Sequence, residues 1–188
     1  MPALTAGIPA AVAARMSLAI HPVPAPYGAA QQFTAGRRAA ARALALAGSA
    51  CRVVPRQAGG RPLFPPAFAG SISHTGRLAL AVVVPGASAV GCDIENAAIT
   101  ARMTRFVLHT PERRTLLEQA GYSARDLFAA KEAAFKALSG TAGTGRFWFW
   151  QIRLSQDGGA LRAAYGGLTV PVWMSSRADL SVAVAIRH

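Results

Sequence analysis

The order of elements legible along the chain is that of an α+β fold: a helix, an antiparallel hairpin, further helices and then C-terminal strands. Two stretches carry most of that reading. Residues 126–138 have helical spacing, with Leu127, Ala130, Ala134 and Leu138 on one stripe, Ser123 and Asp126 spaced as a capping box, and Ser139-Gly140 as the stop. The apolar runs 78–84 and 89–95 flank Pro85-Gly86-Ala87-Ser88 and read as a hairpin.

Taken in order, residues 1–30 are an Ala/Pro-rich N-terminal extension in which Pro22, Pro24 and Pro26 predict a polyproline-like segment. A helix follows from Gln32 to Gly48, bearing Arg37, Arg38 and Arg42. Val53-Val54-Pro55 predicts a short strand, and 58–66 a Gly/Pro loop that presents Arg61. Thr110-Pro111-Glu112 is a helix start with proline at the first position. The aromatic run 147–152, flanked by Arg146 and Arg153, predicts a buried strand rather than a base-stacking platform, and two more strands are expected at 168–173 and 180–186.

The 188 residues suit one domain or two small halves, with 52% hydrophobic residues to build a core. A net charge of +12 points to an anionic partner: nucleic acid, a membrane surface, a polyphosphate ligand or an acidic protein. Cys51 and Cys92 have neither metal spacing nor a disulfide framework, so a reducing cytoplasm is expected. No secretory signal is expected, and the prolines, histidine and glutamines of 16–36 exclude a membrane span there.

Three patterns carry chemistry. The chain has 20 Lys+Arg, of which only Lys131 and Lys136 are lysines, and these flank Glu132. In so arginine-rich a chain, this points to chemistry needing a compact ammonium, the alternative being an exposed Glu–Lys pair. On the second hairpin strand Val90, Cys92 and Ile94 face one way, and Gly91, Asp93 and Glu95 the other. Two carboxylates on one face read as a divalent-ion site, against a solvated strand end. The arginines of the 32–48 helix read equally as a phosphate clamp or a solvated face.

The ordered set Gly70-Ser71-Ile72-Ser73-His74, Gly91-Cys92-Asp93-Ile94-Glu95 and Phe128-Ala129-Ala130-Lys131-Glu132-Ala133-Ala134-Phe135-Lys136 resembles the 4'-phosphopantetheinyl transferases of the surfactin type, and most nearly their enterobactin-synthase branch. Phe33-Thr34-Ala35-Gly36-Arg37 and Gly60-Arg61-Pro62 extend the resemblance, which spans about residues 31–154. Where members carry basic residues and a glutamate upstream, this chain has Ala29-Ala30-Gln31-Gln32.

The resemblance implies two similar halves, 31–88 and 89–188, each a helix on a small antiparallel sheet with coenzyme A in the cleft between them. It implies Asp93, Glu95 and Glu132 as ligands of Mg²⁺, and Ser73 and His74 on the phosphates. Arg37 and Arg61 would meet the 3′-phosphate and pyrophosphate, and Lys131 and Lys136 the transferring centre. The expected reaction is that of a holo-[acyl-carrier-protein] synthase. A carrier-protein serine, deprotonated by Glu132 or a water on the metal with Glu112 as a second candidate base, takes the phosphopantetheine arm and 3′,5′-ADP leaves. The partners expected are coenzyme A and an acidic acyl or peptidyl carrier protein, met by a monomer, with no nucleic acid. The rivals are a metal-dependent phosphohydrolase and a basic nucleic-acid-binding module; the second leaves Asp93, Glu95 and Glu132 without a role.

Overall fold

The computed structural model describes residues 4–5, 7–139, 147–158 and 160–188. A short α1 (Ala10–Ala13) leads into β1 (Ser17–Pro22) and α2 (Ala29–Leu46). Then come β2 (Phe68–His74), β3 (Leu78–Pro85) and β4 (Ala89–Glu95). The helices α3 (Ala101–Val107) and α4 (Thr110–Glu112), a π-helical stretch Arg113–Gln119 and α5 (Ala124–Leu138) follow. The chain closes with a 3-10 turn Phe149–Gln151 and the strands β5 (Arg153–Asp157), β6 (Ala160–Tyr165), β7 (Leu168–Ser176) and β8 (Ser181–Arg187).

Two antiparallel sheets result, ordered β1-β3-β2 and β4-β8-β7-β6-β5. They stack face to face. Leu80, Val82 and Val84 of β3 meet Val90, Cys92 and Ile94 of β4 and Val182, Val184 and Ile186 of β8 in one shared core. The other face of β3, with Ala79, Ala81 and Val83, packs under Ala39, Ala43 and Leu44 of α2. Ala183 and Ala185 of β8 pack under α5. The architecture is thus α+β, a helix outside each of two apposed sheets, and β3 is apolar throughout because both its faces are covered.

The expected hairpin across Pro85-Gly86 does not form. Both edges of β3 are occupied, by β1 and β2, so the chain leaves the first sheet at that turn and β4 pairs with β8 instead. Within the supposed extension, Ser17–Pro22 is the β1 edge of the first sheet and Val23 joins the core under α2. Pro22 therefore ends a strand, and Tyr27 closes a turn onto the Pro24 carbonyl, in place of a polyproline segment. No strand forms at 53–55: Val54 is buried but Val53 is 71% exposed, and the nearby pairing is an isolated Arg56–Pro62 bridge. The aromatic run is a 3-10 turn, with Trp148 63% exposed and stacked on Trp150, and the strand begins only at Arg153. Arg146 and the expected Gly140 stop lie outside the described residues; Ser139 is the C-cap.

The helix α5 starts as its sequence predicts. Ser123 Oγ accepts from the Asp126 amide at 3.1 Å and Asp126 Oδ2 accepts from the Ser123 amide at 2.9 Å. The other Asp126 oxygen accepts from Ser176 and Ser181, which ties the helix start to β7 and β8. Burial by itself raises the Asp126 pKa, but these hydroxyl and amide donors together hold it below its ordinary value.

A folded carboxyl that titrates below its unfolded value contributes stability above the unfolded pKa and loses it as pH falls through the folded one. Asp126→Asn is therefore expected to cost about 1–3 kcal/mol at neutral pH, and the gap to the wild type should close below about pH 4. Urea unfolding of both proteins between neutral and acid pH checks this; a gap independent of pH would contradict it.

Candidate active site

The site lies where the two sheets meet along β2 and β4. Gly91 faces α5, and a Cβ there would sit 1.8 Å from the Ala133 carbonyl oxygen, so only glycine admits the helix at this distance. That approach lets Lys136 of α5 reach β4, where its Nζ donates to Asp93 Oδ1 at 2.8 Å and to the Cys92 carbonyl at 2.9 Å. From the first sheet, Ser73 Oγ donates to the same Asp93 oxygen at 2.7 Å. Asp93 thus joins both halves. Burial by itself would lower the Lys136 pKa, but the Asp93 carboxylate, the Cys92 thiol and Glu132 raise it overall, so the ammonium stays charged.

Glu132 lies one turn of helix from Lys136. Its carboxyl is raised above the ordinary value, first by burial and then by Asp93 and Glu95, with Lys136 opposing. The three carboxylates expected to hold a metal therefore sense one another's charge. They are not gathered into a ligand set: among the described residues no group of three or more His, Cys, Asp or Glu side chains is placed to hold a metal ion. Asp93 Oδ1 is engaged by Ser73 and Lys136, and Glu95 Oε1 caps the Asn96 and Ala97 amides at 2.8 and 2.7 Å. The donor chemistry nevertheless fits a hard divalent cation, because three oxygen donors repel across one site and one of them is buried.

Beside this cluster, a pocket of about 310 Å³ is lined by Gln32, Phe33, Arg37, Arg56, Pro62 and His74. The Arg37 guanidinium lies 4.4 Å over the Phe33 ring, and its Nε is buried with no hydrogen-bond partner. Burial and then the nearby Arg56 lower the Arg37 pKa. Two mutually repelling cations and an unpaired buried N–H are arranged to receive an anion. His74 stands at the end of β2, partly covered, with its pKa lowered first by that partial burial and then by Lys136, against the pull of Asp93.

Arg56 was not predicted, although it lies on the same Gly/Pro-rich segment as Arg61; its bridge to Pro62 folds that loop over the pocket. Arg61 instead reaches the second half, where it donates to the Ser139 carbonyl at 2.9 Å and so caps the C-terminus of α5. It also lines a larger cleft of about 570 Å³ between the halves, together with Ser71, Ile72, Val90, Phe135 and Lys136.

Lys131 and Glu112, expected at the transferring centre, lie elsewhere. Lys131 is 0% and Glu112 3% exposed, and they form an ion pair of 2.8 Å inside the second half. A helix turns about 100° per residue, so Lys131 and Glu132 leave α5 on different faces and only Glu132 is turned to the site. Cys92 is a core thiol that burial pushes up to about 11, and Cys51 is an exposed free thiol. No helix among the described residues is long and apolar enough to cross a membrane.

Comparison with known families matches residues 25–84 to the 4'-phosphopantetheinyl transferase N-terminal domain and residues 89–185 to the 4'-phosphopantetheinyl transferase superfamily. No curated protein matches the chain. With the superfamily match alone covering more than half of the sequence, the chain belongs to the 4'-phosphopantetheinyl transferase superfamily.

Proposed function

We propose that the protein transfers the 4'-phosphopantetheine arm of coenzyme A to a serine hydroxyl of an acyl or peptidyl carrier protein, in a Mg²⁺-dependent reaction that releases 3′,5′-ADP. The observation that carries this reading is an acidic cluster beside a basic pocket: Asp93 and Glu132, met by Lys136, and next to them the pocket of Arg37 and Arg56, whose lining His74 senses both Asp93 and Lys136. A coenzyme A pyrophosphate needs both, cations for its oxygens and carboxylates for a bridging ion.

In this reading Arg37 and Arg56 take the 3′-phosphate, with the Phe33 ring as a wall of the same pocket, while His74 and the Ser73 hydroxyl, once it turns from Asp93, donate to pyrophosphate oxygens. Asp93, Glu95 and Glu132 would hold the Mg²⁺, which when bound neutralises the phosphate charge. Lys136, a compact ammonium with rotatable donors, moves between Asp93 and the phosphate on which charge develops. Glu132 has a second carboxylate oxygen, which accepts the serine proton. The serine oxygen then bonds to the β-phosphorus, the bond from that phosphorus to the bridging oxygen breaks, and 3′,5′-ADP carries the electron pair away. The first half, with β1 at its sheet edge, and the second half from residue 89 serve as the nucleotide and metal sides of the site, in a monomeric cytoplasmic enzyme. The +12 charge favours an acidic carrier.

Incubation of the protein with coenzyme A, Mg²⁺ and a panel of apo-carriers is expected to add one phosphopantetheine mass to the carrier, read by mass spectrometry. Phosphate or ADP released with no carrier present would favour a phosphohydrolase instead. Asp93→Ala should abolish the transfer. Lys136→Arg keeps the charge but replaces a point donor by a planar fork, and a misplacement of about 1 Å lowers turnover on the order of a hundredfold. Wild-type turnover in Lys136→Arg would remove the lysine from the mechanism.

Arg37→Ala should raise the KM for coenzyme A more than it lowers turnover, because the 3′-phosphate is remote from the reacting bond. Dephospho-coenzyme A, which lacks that phosphate, should respond little to the substitution. Equal losses with the two substrates would place Arg37 on the pyrophosphate.

A further inference from the structure

We propose that Glu112 and Lys131 are positioning residues: a buried clamp that fixes the rotation of α5, and through it the placement of Glu132 and Lys136. This rests on the transferase reading above only for what the placed residues do.

Lys131 is the largest fully buried side chain among the described residues. Its Nζ donates to Glu112 Oε2 and the Val107 carbonyl, both at 2.8 Å, and to the Trp150 carbonyl at 3.5 Å. Three donors thus meet three acceptors. Glu112 is used as completely. Its Oε2 also accepts from the His109 amide at 2.6 Å, and its Oε1 accepts from the Leu154 amide at 2.7 Å. A general base must reach the proton it takes, and neither side chain opens to the cleft.

The clamp collects the ends of separate segments. Val107 ends α3, His109 caps α4, Trp150 belongs to the 3-10 turn, and Leu154 lies on β5. All of them are tied to one point on α5. The residue after that point is Glu132, about 100° further round the helix, and Lys136 follows one turn later, at Asp93. Contact with β4 at Gly91 sets how close α5 lies; the Lys131 anchor on the far side sets which way it faces. The site has room for a compact tetrahedral ammonium. The wider planar guanidinium of an arginine would not match its three acceptors, which accounts for a lysine here in a chain whose other cations, Lys136 apart, are arginines.

The test compares Lys131→Met, Glu112→Gln and the double variant with the wild type, each assayed below its own melting temperature. Each single variant leaves an uncompensated buried charge and should lower Tm by roughly 10 °C. In the folded single variants turnover should fall at least about tenfold while the KM for coenzyme A changes less than about threefold, since the Arg37 side is untouched. The double variant carries no lone charge, so it should recover at least half of the Tm loss and turn over within about tenfold of the wild type. If the singles do not fold, the double decides alone. A double variant that binds coenzyme A normally yet has lost turnover more than about a hundredfold would make Glu112 or Lys131 catalytic. Undiminished turnover in a folded single variant would reduce the pair to structural support, and additive Tm losses would dissolve the clamp. Wild-type protein that modifies no carrier would sink the transferase reading alone, because the thermal coupling is measured without substrate.

Discussion

The placement of Lys136 and Glu132 depends on how closely α5 lies on β4. The helix backbone touches the strand where residue 91 has no side chain, and an alanine there would drive its Cβ into the Ala133 carbonyl oxygen. Ala133, Ala134 and Ala137 complete a small-residue face that is 0–1% exposed. A larger residue anywhere on that face would hold the helix off, and Lys136 would then no longer span to Asp93 and the Cys92 carbonyl. Packing density here determines charge placement.

That close approach makes the electrostatics strong. Asp93, Glu95 and Glu132 repel one another, and in this structure their charge is met by Lys136, by the Ser73 hydroxyl and by backbone amides. Asp93, Glu95 and Glu132 are the residues that would hold a divalent cation, whose charge would offset their repulsion. In the neighbouring pocket Arg37 and Arg56 have the opposite imbalance, two cations and an unpaired N–H. A polyphosphate ligand reaching from one to the other would relieve both. Arg61 joins the halves directly, from the first-half loop to the end of α5.

Much of this was legible in local sequence. Ser123 and Asp126 announced α5, and the alternation through Val90, Cys92 and Ile94 put Asp93 and Glu95 on the face turned away from the shared core. What failed was pairing at long range. The Pro85-Gly86 turn looks like a hairpin locally, but nothing nearby shows that β1 already occupies the second edge of β3. β1 itself was hidden by the Ala/Pro composition around it. The aromatic run has the content of a strand, yet Gln151 folds back onto the Trp148 amide at 2.8 Å and makes a turn. The separate fates of Lys131 and Glu132 were partly readable, since neighbours on a helix point apart. That Lys131 would find Glu112, 19 residues away, was not.

If the contact at Gly91 assembles the site, the decisive measurement is the rate at which Gly91→Ala modifies an apo-carrier, read by mass spectrometry against the wild type. A displacement of α5 by about 1 Å or more should lower that rate at least a hundredfold. Carrier modification at the wild-type rate would mean that α5 can stand off from β4 without consequence, and that the Gly91 contact does not assemble the site.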